Sequence, residues 1–219
     1  MELLYSNILP LGTMDNQKCI ADVIVEEMRK ADRIDIAVGY VSNSSLIELD
    51  ELIVNSSIKN VSLVIGMYYV EGMPENSYHT AMRINEKWSN AGIGEIRIVK
   101  SFKYHGKAYC FYKNGEPTIA ENGSPIVGSA NLGVMKLEAS NRRQYELAAL
   151  TESVQEVNEI ATHIQQLKGA RCSSVISEIV NMPLIHEKNT SLIGVELVSQ
   201  VPPSNVEFYK NCLPEVSFQ

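Results

Sequence analysis

The sequence contains no run of about 18 or more apolar residues, so it offers no membrane-spanning helix. The opening Met1-Glu2-Leu3-Leu4-Tyr5 lacks a basic segment followed by an apolar stretch, which argues against a secretory leader and predicts a cytoplasmic protein. Cysteine is sparse. Cys19, Cys110, Cys172 and Cys212 lie far apart with no C-x-x-C, so neither a zinc ribbon nor a disulfide framework is supported, and free thiols are expected. Basic charge is also in short supply: a net charge of −7 argues against a protein that coats itself with nucleic acid. There is no internal repeat, no low-complexity tract, no carboxylate cluster of the D…E-x-K kind and no G-x-x-x-x-G-K-[ST] loop. Nothing resembles a helix-turn-helix or zinc finger.

What is present is a chain of 219 residues, 45% apolar and only 21% charged, enough for one packed core of ordinary size with some chain left over. Strand-like and helix-like stretches alternate to about residue 170. Asp35–Val41 and Val61–Gly66 are short, apolar and bounded by polar residues, as interior strands are. Helical spacing relates Ile20, Val23, Ile24 and Met28, then Leu46, Leu49, Leu52 and Ile53 behind a cap at Ser44 or Ser45, then Ala81, Ile84, Trp88 and Ala91 up to Gly92. Strands are expected at 96–99, 108–112, 126–128 and 145–150, followed by a helix from Val154 to Lys168. This order predicts an α/β domain over residues 1–170, a mixed, mostly β-sheet with helices on both faces. Residues 171–219 are expected to be an extension or linker, beginning with a short helical pattern at Val175, Ile176, Ile179 and Val180 and turning irregular after Pro183.

Charge is uneven. From Arg97 to Lys113 there are cations at Arg97, Lys100, Lys103, Lys107 and Lys113 and no acid, and Lys136, Arg142 and Arg143 follow. Brought together, they would form a cationic pocket suited to a phosphate chain. Within this region Tyr104-His105-Gly106-Lys107-Ala108 places His105 and Lys107 two residues apart. On a strand they would project to one side about 7 Å apart and address one phosphate. Gly128-Ser129-Ala130-Asn131 repeats the spacing with Ser129 and Asn131, whose small polar groups can donate to phosphate oxygens. Glu146, in the apolar stretch Tyr145–Leu150, needs a partner, and an imidazole nitrogen would serve. Tyr40 and Tyr104 are placed either to line this site or to pack beside it. Lys103, Tyr104, Lys136, Arg142 and Arg143 are the candidate phosphate contacts. His79 and His163 lack a lysine two residues on, His186-Glu187-Lys188 has one but no G-S-x-N segment follows it, and all three histidines are read as structural.

His105, Lys107, Gly128, Ser129, Asn131 and Glu146 resemble the H-x-K and G-S-x-N signature of the phospholipase D superfamily. They look closest to its metal-independent restriction endonucleases of the BfiI and NgoAVII type. That resemblance implies a phospholipase D-like fold and an endonuclease that hydrolyses DNA through a phosphohistidine. It also implies catalysis by His105, Lys107, Ser129, Asn131 and Glu146 with no metal or other cofactor. The superfamily uses two H-x-K motifs about a two-fold axis; this chain has one H-x-K that is followed by G-S-x-N, so a homodimer sharing its site is expected. Restriction enzymes of this type carry a B3-like DNA-recognition domain, usually C-terminal, and some depend on a partner ATPase. Tyr112 stands where the wider superfamily has an aspartate, which disfavours a phospholipase. A phospholipase or phosphatidyltransferase would also be expected to offer an apolar loop near the site, and no such loop is read from the sequence. A DNA-binding module without turnover is the other alternative.

Overall fold

Side chains alternate between two buried faces in Arg33–Val38, where Ile34, Ile36 and Val38 enter one hydrophobic core and Ala37 enters another on the opposite side. The computed structural model describes residues 1–56, 58–113, 123–135, 144–151 and 153–186. Along the chain run β1 (Glu2–Tyr5), β2 (Lys18–Cys19), α1 (Ile20–Lys30), β3 (Arg33–Val38), α2 (Asn43–Val54), β4 (Asn60–Ile65), α3 (Tyr68–Glu71) and β5 (Met73–Pro74). Then come α4 (Glu75–Ala91), β6 (Gly94–Val99), β7 (Ala108–Tyr112), β8 (Gly123–Gly128), β9 (Leu147–Leu150), α5 (Val154–Lys168), β10 (Ser173–Val175) and β11 (Leu184–Ile185).

Nine strands form one mixed sheet in the order β10-β6-β4-β3-β7-β8-β9-β1-β2. The strands β3, β4 and β6 are mutually parallel, while β7, β8, β9 and β1 follow in antiparallel succession. The register places the starts of β7 and β9 beside the ends of β3, β8 and β1, through Ala37↔Ala108, Gly128↔Ala148 and Tyr5↔Leu147. One edge of the sheet therefore collects the loops that carry His105, Ser129 and Glu146.

The helices divide between the two faces, as expected. Ile20, Ile24 and Met28 of α1, Leu46 and Leu49 of α2, and Ala81, Ile84 and Trp88 of α4 pack on the larger core. Ala161, Ile164 and Leu167 of α5 cover Ala37, Val64, Ala108 and Cys110 on the other face. The cap of α2 is Ser42, with Ser45 at the third helical position completing the reciprocal pair of hydrogen bonds, so the start lies slightly earlier than the sequence pattern indicates. Gly92 ends α4 in the left-handed conformation, φ 67°, that favours glycine.

Beyond residue 170 the chain stays in the fold as far as residue 186, and the rest of the expected extension, 187–219, lies outside the described residues. The helix expected around Val175–Val180 is instead β10, paired antiparallel with β6 through Ser173↔Val99 and Val175↔Arg97, followed by a 3-10 turn at Ile176–Glu178. An open sheet edge and a buried seat for Ile176 outweigh a weak local helical pattern whose Val180 is almost fully exposed. Leu184–Ile185 then pair in parallel with Met73–Pro74. Among the described residues no helix is long and apolar enough to cross a membrane.

Candidate active site

Two glycines at the ends of parallel strands create the seat for the H-x-K segment. A Cβ on Gly66 would lie 2.0 Å from the carbonyl oxygen of Tyr104, and one on Gly39 would lie 3.1 Å from the imidazole Cδ2 of His105. Backbone can therefore pass directly over the carboxyl ends of β3 and β4, the position where open sheets of this kind bind ligands. Tyr104 N–H donates to the Gly66 carbonyl at 3.1 Å and fixes the crossing. Residues 103–107 thus form a loop leading into β7 rather than part of the strand, which begins at Ala108.

This loop does more than the expected strand would. Instead of lying parallel and apart, Lys107 curls back: its Nζ stands 3.1 Å from Nδ1 and 3.0 Å from Nε2 of His105 and donates to the His105 carbonyl at 2.7 Å. Lys107 is buried whereas His105 is exposed. Partial desolvation of the ring, followed by the Lys107 ammonium, holds the His105 pKa below its ordinary value, and Glu71 opposes both. Burial likewise lowers the Lys107 pKa, against the pull of Glu146.

Gly128 N–H donates to the Lys107 carbonyl, which brings the Ser129–Asn131 loop alongside. A Cβ at Gly128 would lie 2.4 Å from the Leu147 carbonyl, so only glycine allows β8 and β9 this approach. The buried Tyr109 hydroxyl donates to the Ala130 carbonyl at 2.7 Å from below. Asn131 Oδ1 accepts from Tyr40 N–H at 3.1 Å, and the Tyr40 ring stands edge-on to His105, centroids 5.8 Å apart at 74°. His105, Lys107, Ser129 and Asn131 thus share one edge of the sheet.

Glu146 reaches the same edge with a different partner from the one expected. It precedes β9, and its carboxylate accepts from the Ser129 hydroxyl, while its backbone N–H donates to Ser6 Oγ at 2.9 Å. Among the described residues its hydrogen bond is to Ser129 and not to His105. The serine lies on the neighbouring strand end, already bonded to Leu147 N–H, and is the nearer donor.

The cationic segment does not gather into one pocket. Arg97 turns to Glu95 and Ser173, Lys100 to Ser174, and Lys113 follows the far end of β7. Lys103 remains at the site, paired with Glu71 at 3.0 Å. Tyr104 packs against His163 of α5, ring centroids 5.6 Å apart, while Tyr40 lines the site. Lys136, Arg142 and Arg143 lie outside the described residues. Glu71 and Ser6 join the site with no sequence motif to mark them. The loop after Ser6 leaves β1 at this edge and exposes Leu9, Leu11 and Met14, an apolar segment that sequence patterning did not reveal. Among the described residues no three His, Cys, Asp or Glu side chains gather where they could hold a metal ion.

Over residues 17–181 the chain matches the family described as the NgoFVII restriction endonuclease N-terminal PLD domain. The chain belongs to this family. The H-x-K and G-S-x-N segments of this PLD domain both fall inside the matched span, as do the glycines that seat them. A solved structure similar to the PLD domain is phosphatidylserine synthase of Haemophilus influenzae Rd KW20, at 13% identity and a TM-score of 0.48. The match covers 95% of this chain and 44% of that one, so the chain spans under half its length. Comparison with curated protein sequences gives no match.

Proposed function

We propose that this PLD domain is a metal-independent endonuclease that hydrolyses DNA phosphodiester bonds through a phosphohistidine on His105, as the catalytic part of a restriction enzyme. The observation that carries the reading is the convergence of His105, Lys107, Ser129 and Asn131 at one sheet edge, with a buried ammonium in contact with the imidazole.

In-line displacement needs a nucleophile on one side of phosphorus and a proton donor on the other. One histidine cannot supply both in a single step, so two copies of the chain face each other across the scissile phosphate. A ring nitrogen of one His105 bonds to phosphorus as the P–O bond to the departing sugar oxygen breaks, and the other His105 gives that oxygen its proton. Water, deprotonated by the second histidine, then displaces the first and regenerates it. A neutral imidazole is the attacking form, which the lowered His105 pKa favours. Lys107, Asn131 and Ser129 offset the charge that develops on the non-bridging oxygens, a task other nucleases assign to a divalent ion.

The test is cleavage of labelled plasmid DNA by wild type and His105→Ala, with magnesium and with EDTA. Wild type is expected to cut equally under both conditions and to carry an acid-labile phosphoryl adduct, with His105→Ala inert. Loss of cutting in EDTA would remove the mechanism. Exposed Leu9, Leu11 and Met14 favour one second reading, phosphatidyl transfer at a lipid surface. Turnover of phosphatidyl vesicles with no DNA cleavage would replace the nuclease by it.

A further inference from the structure

Glu71 ends α3, the single turn that follows β4, and its side chain is only 12% exposed. A largely desolvated carboxylate is costly unless it is well partnered. Here it accepts from the Tyr40 hydroxyl at 2.5 Å and from Lys103 Nζ at 3.0 Å. Tyr40 is held on three further sides. Its N–H donates to Asn131, its ring meets Tyr68 edge-on at 5.4 Å, and the same ring stands edge-on to His105. Tyr68 is itself fixed through its hydroxyl to the Val41 carbonyl. A rigid chain of contacts therefore runs from Glu71 through Tyr40 to the imidazole.

We propose that Glu71, acting through Tyr40, is a positioning residue for His105, fixing the plane of the imidazole and supplying a negative charge that balances Lys107. This inference rests on the reading of His105 as the reacting group and deepens it. The two-histidine reaction asks the same side chain to be neutral in one subunit and protonated in the other. Lys107 favours the first state and Glu71 the second. Among the described residues, the other charged or titratable groups at this edge are Tyr40 just after β3, which meets the imidazole, Lys103 and Tyr104 from its own loop, and Glu146 just before β9, which acts on Lys107. Of the two carboxylates, Glu71 is the one linked to the histidine through an aromatic brace, and Glu146 is engaged by Ser129.

The experiment is an NMR titration of the His105 ring in the full chain, for wild type, Glu71→Gln and Tyr40→Phe, with DNA cleavage followed across the same pH range. Glu71→Gln keeps an acceptor for the Tyr40 hydroxyl and removes only the charge. It is expected to lower the His105 midpoint and to move the alkaline limb of kcat to lower pH. The loss is about tenfold above the midpoint and small below it, as a protonation effect requires, with KM for DNA nearly unchanged. Tyr40→Phe keeps the ring and cuts the tie to Glu71. It is expected to shift the midpoint the same way by less, and it provides the test should Glu71→Gln fail to fold. A His105 midpoint unmoved or raised in these variants, or a kcat lowered equally at every pH, overturns the proposal. The titration needs no turnover, so a wild type that fails to cut DNA would sink the nuclease reading while the midpoint still decides this one.

Discussion

The imidazole of His105 is held between opposing influences: partial desolvation and the Lys107 ammonium favour its neutral form, and the Glu71 carboxylate favours its cation. Removing Lys107 tests the first side of that balance. Lys107→Met keeps the length of the side chain and deletes the charge, so the His105 midpoint is expected to rise, the sign opposite to that for Glu71→Gln. The acid limb of cleavage should rise with it, because the neutral nucleophile then persists only at higher pH. On the proposed mechanism, loss of the ammonium also removes a donor to the developing phosphorane charge, so cleavage at the optimum should fall by roughly 10²- to 10³-fold. NMR titration and single-turnover cleavage check the two parts separately; a midpoint that stays put would show that Lys107 does not set the state of the ring. Glu146 is coupled to this balance only through Lys107 and Ser129.

Elements place these residues through close backbone approaches, and Gly66 is the most demanding. A methyl group there would fall 2.0 Å from the Tyr104 carbonyl and 2.6 Å from its Cβ, so the H-x-K loop must lift from the end of β4. Gly66→Ala is expected to cost on the order of 1–3 kcal/mol, the range for overpacking a filled site, and to reduce cleavage far more than that loss of stability explains. Gly92→Ala is the comparison. Its Cβ would meet open space, and only the positive φ is strained, for about 1 kcal/mol with cleavage retained. Thermal melts beside cleavage rates separate the two; equal losses of activity would contradict the assignment of Gly66 as the seat of the loop. Six of the strands, β3, β4, β6, β7, β8 and β9, were legible as short apolar runs bounded by polar residues, and the four longer helices by their 3.6-residue period, while β1, β2, β5, β10 and β11 were not. The H-x-K and G-S-x-N pairs were legible through their residue types and their resemblance to a superfamily signature, although His105 and Lys107 lie in the loop before β7. Glu71 was not, because Tyr-Tyr-Val-Glu after β4 has no spacing that points to residue 105. The choice of Glu146 between Ser129 and His105 depended on register across β8 and β9, and β10 formed because an open sheet edge lay within reach.

At the scale of the whole molecule, an acidic chain with net charge −7 carries the combination of H-x-K and G-S-x-N once, in a family of restriction-endonuclease PLD domains. Its candidate groups lie along one sheet edge, and the proposed two-fold arrangement would double every donor that a single chain supplies once. A shared site makes a quantitative demand on mixtures of subunits. Wild type and His105→Ala chains, unfolded together in equal amounts and refolded so that partners are exchanged, would give about one quarter wild-type dimers, by the statistics of an isologous pair. If each phosphate needs one imidazole from each copy, cleavage in the mixture falls to about one quarter of that given by the same total amount of wild type. A fall to only one half, in proportion to the wild-type chains present, would show that each subunit cuts alone and would contradict the shared site.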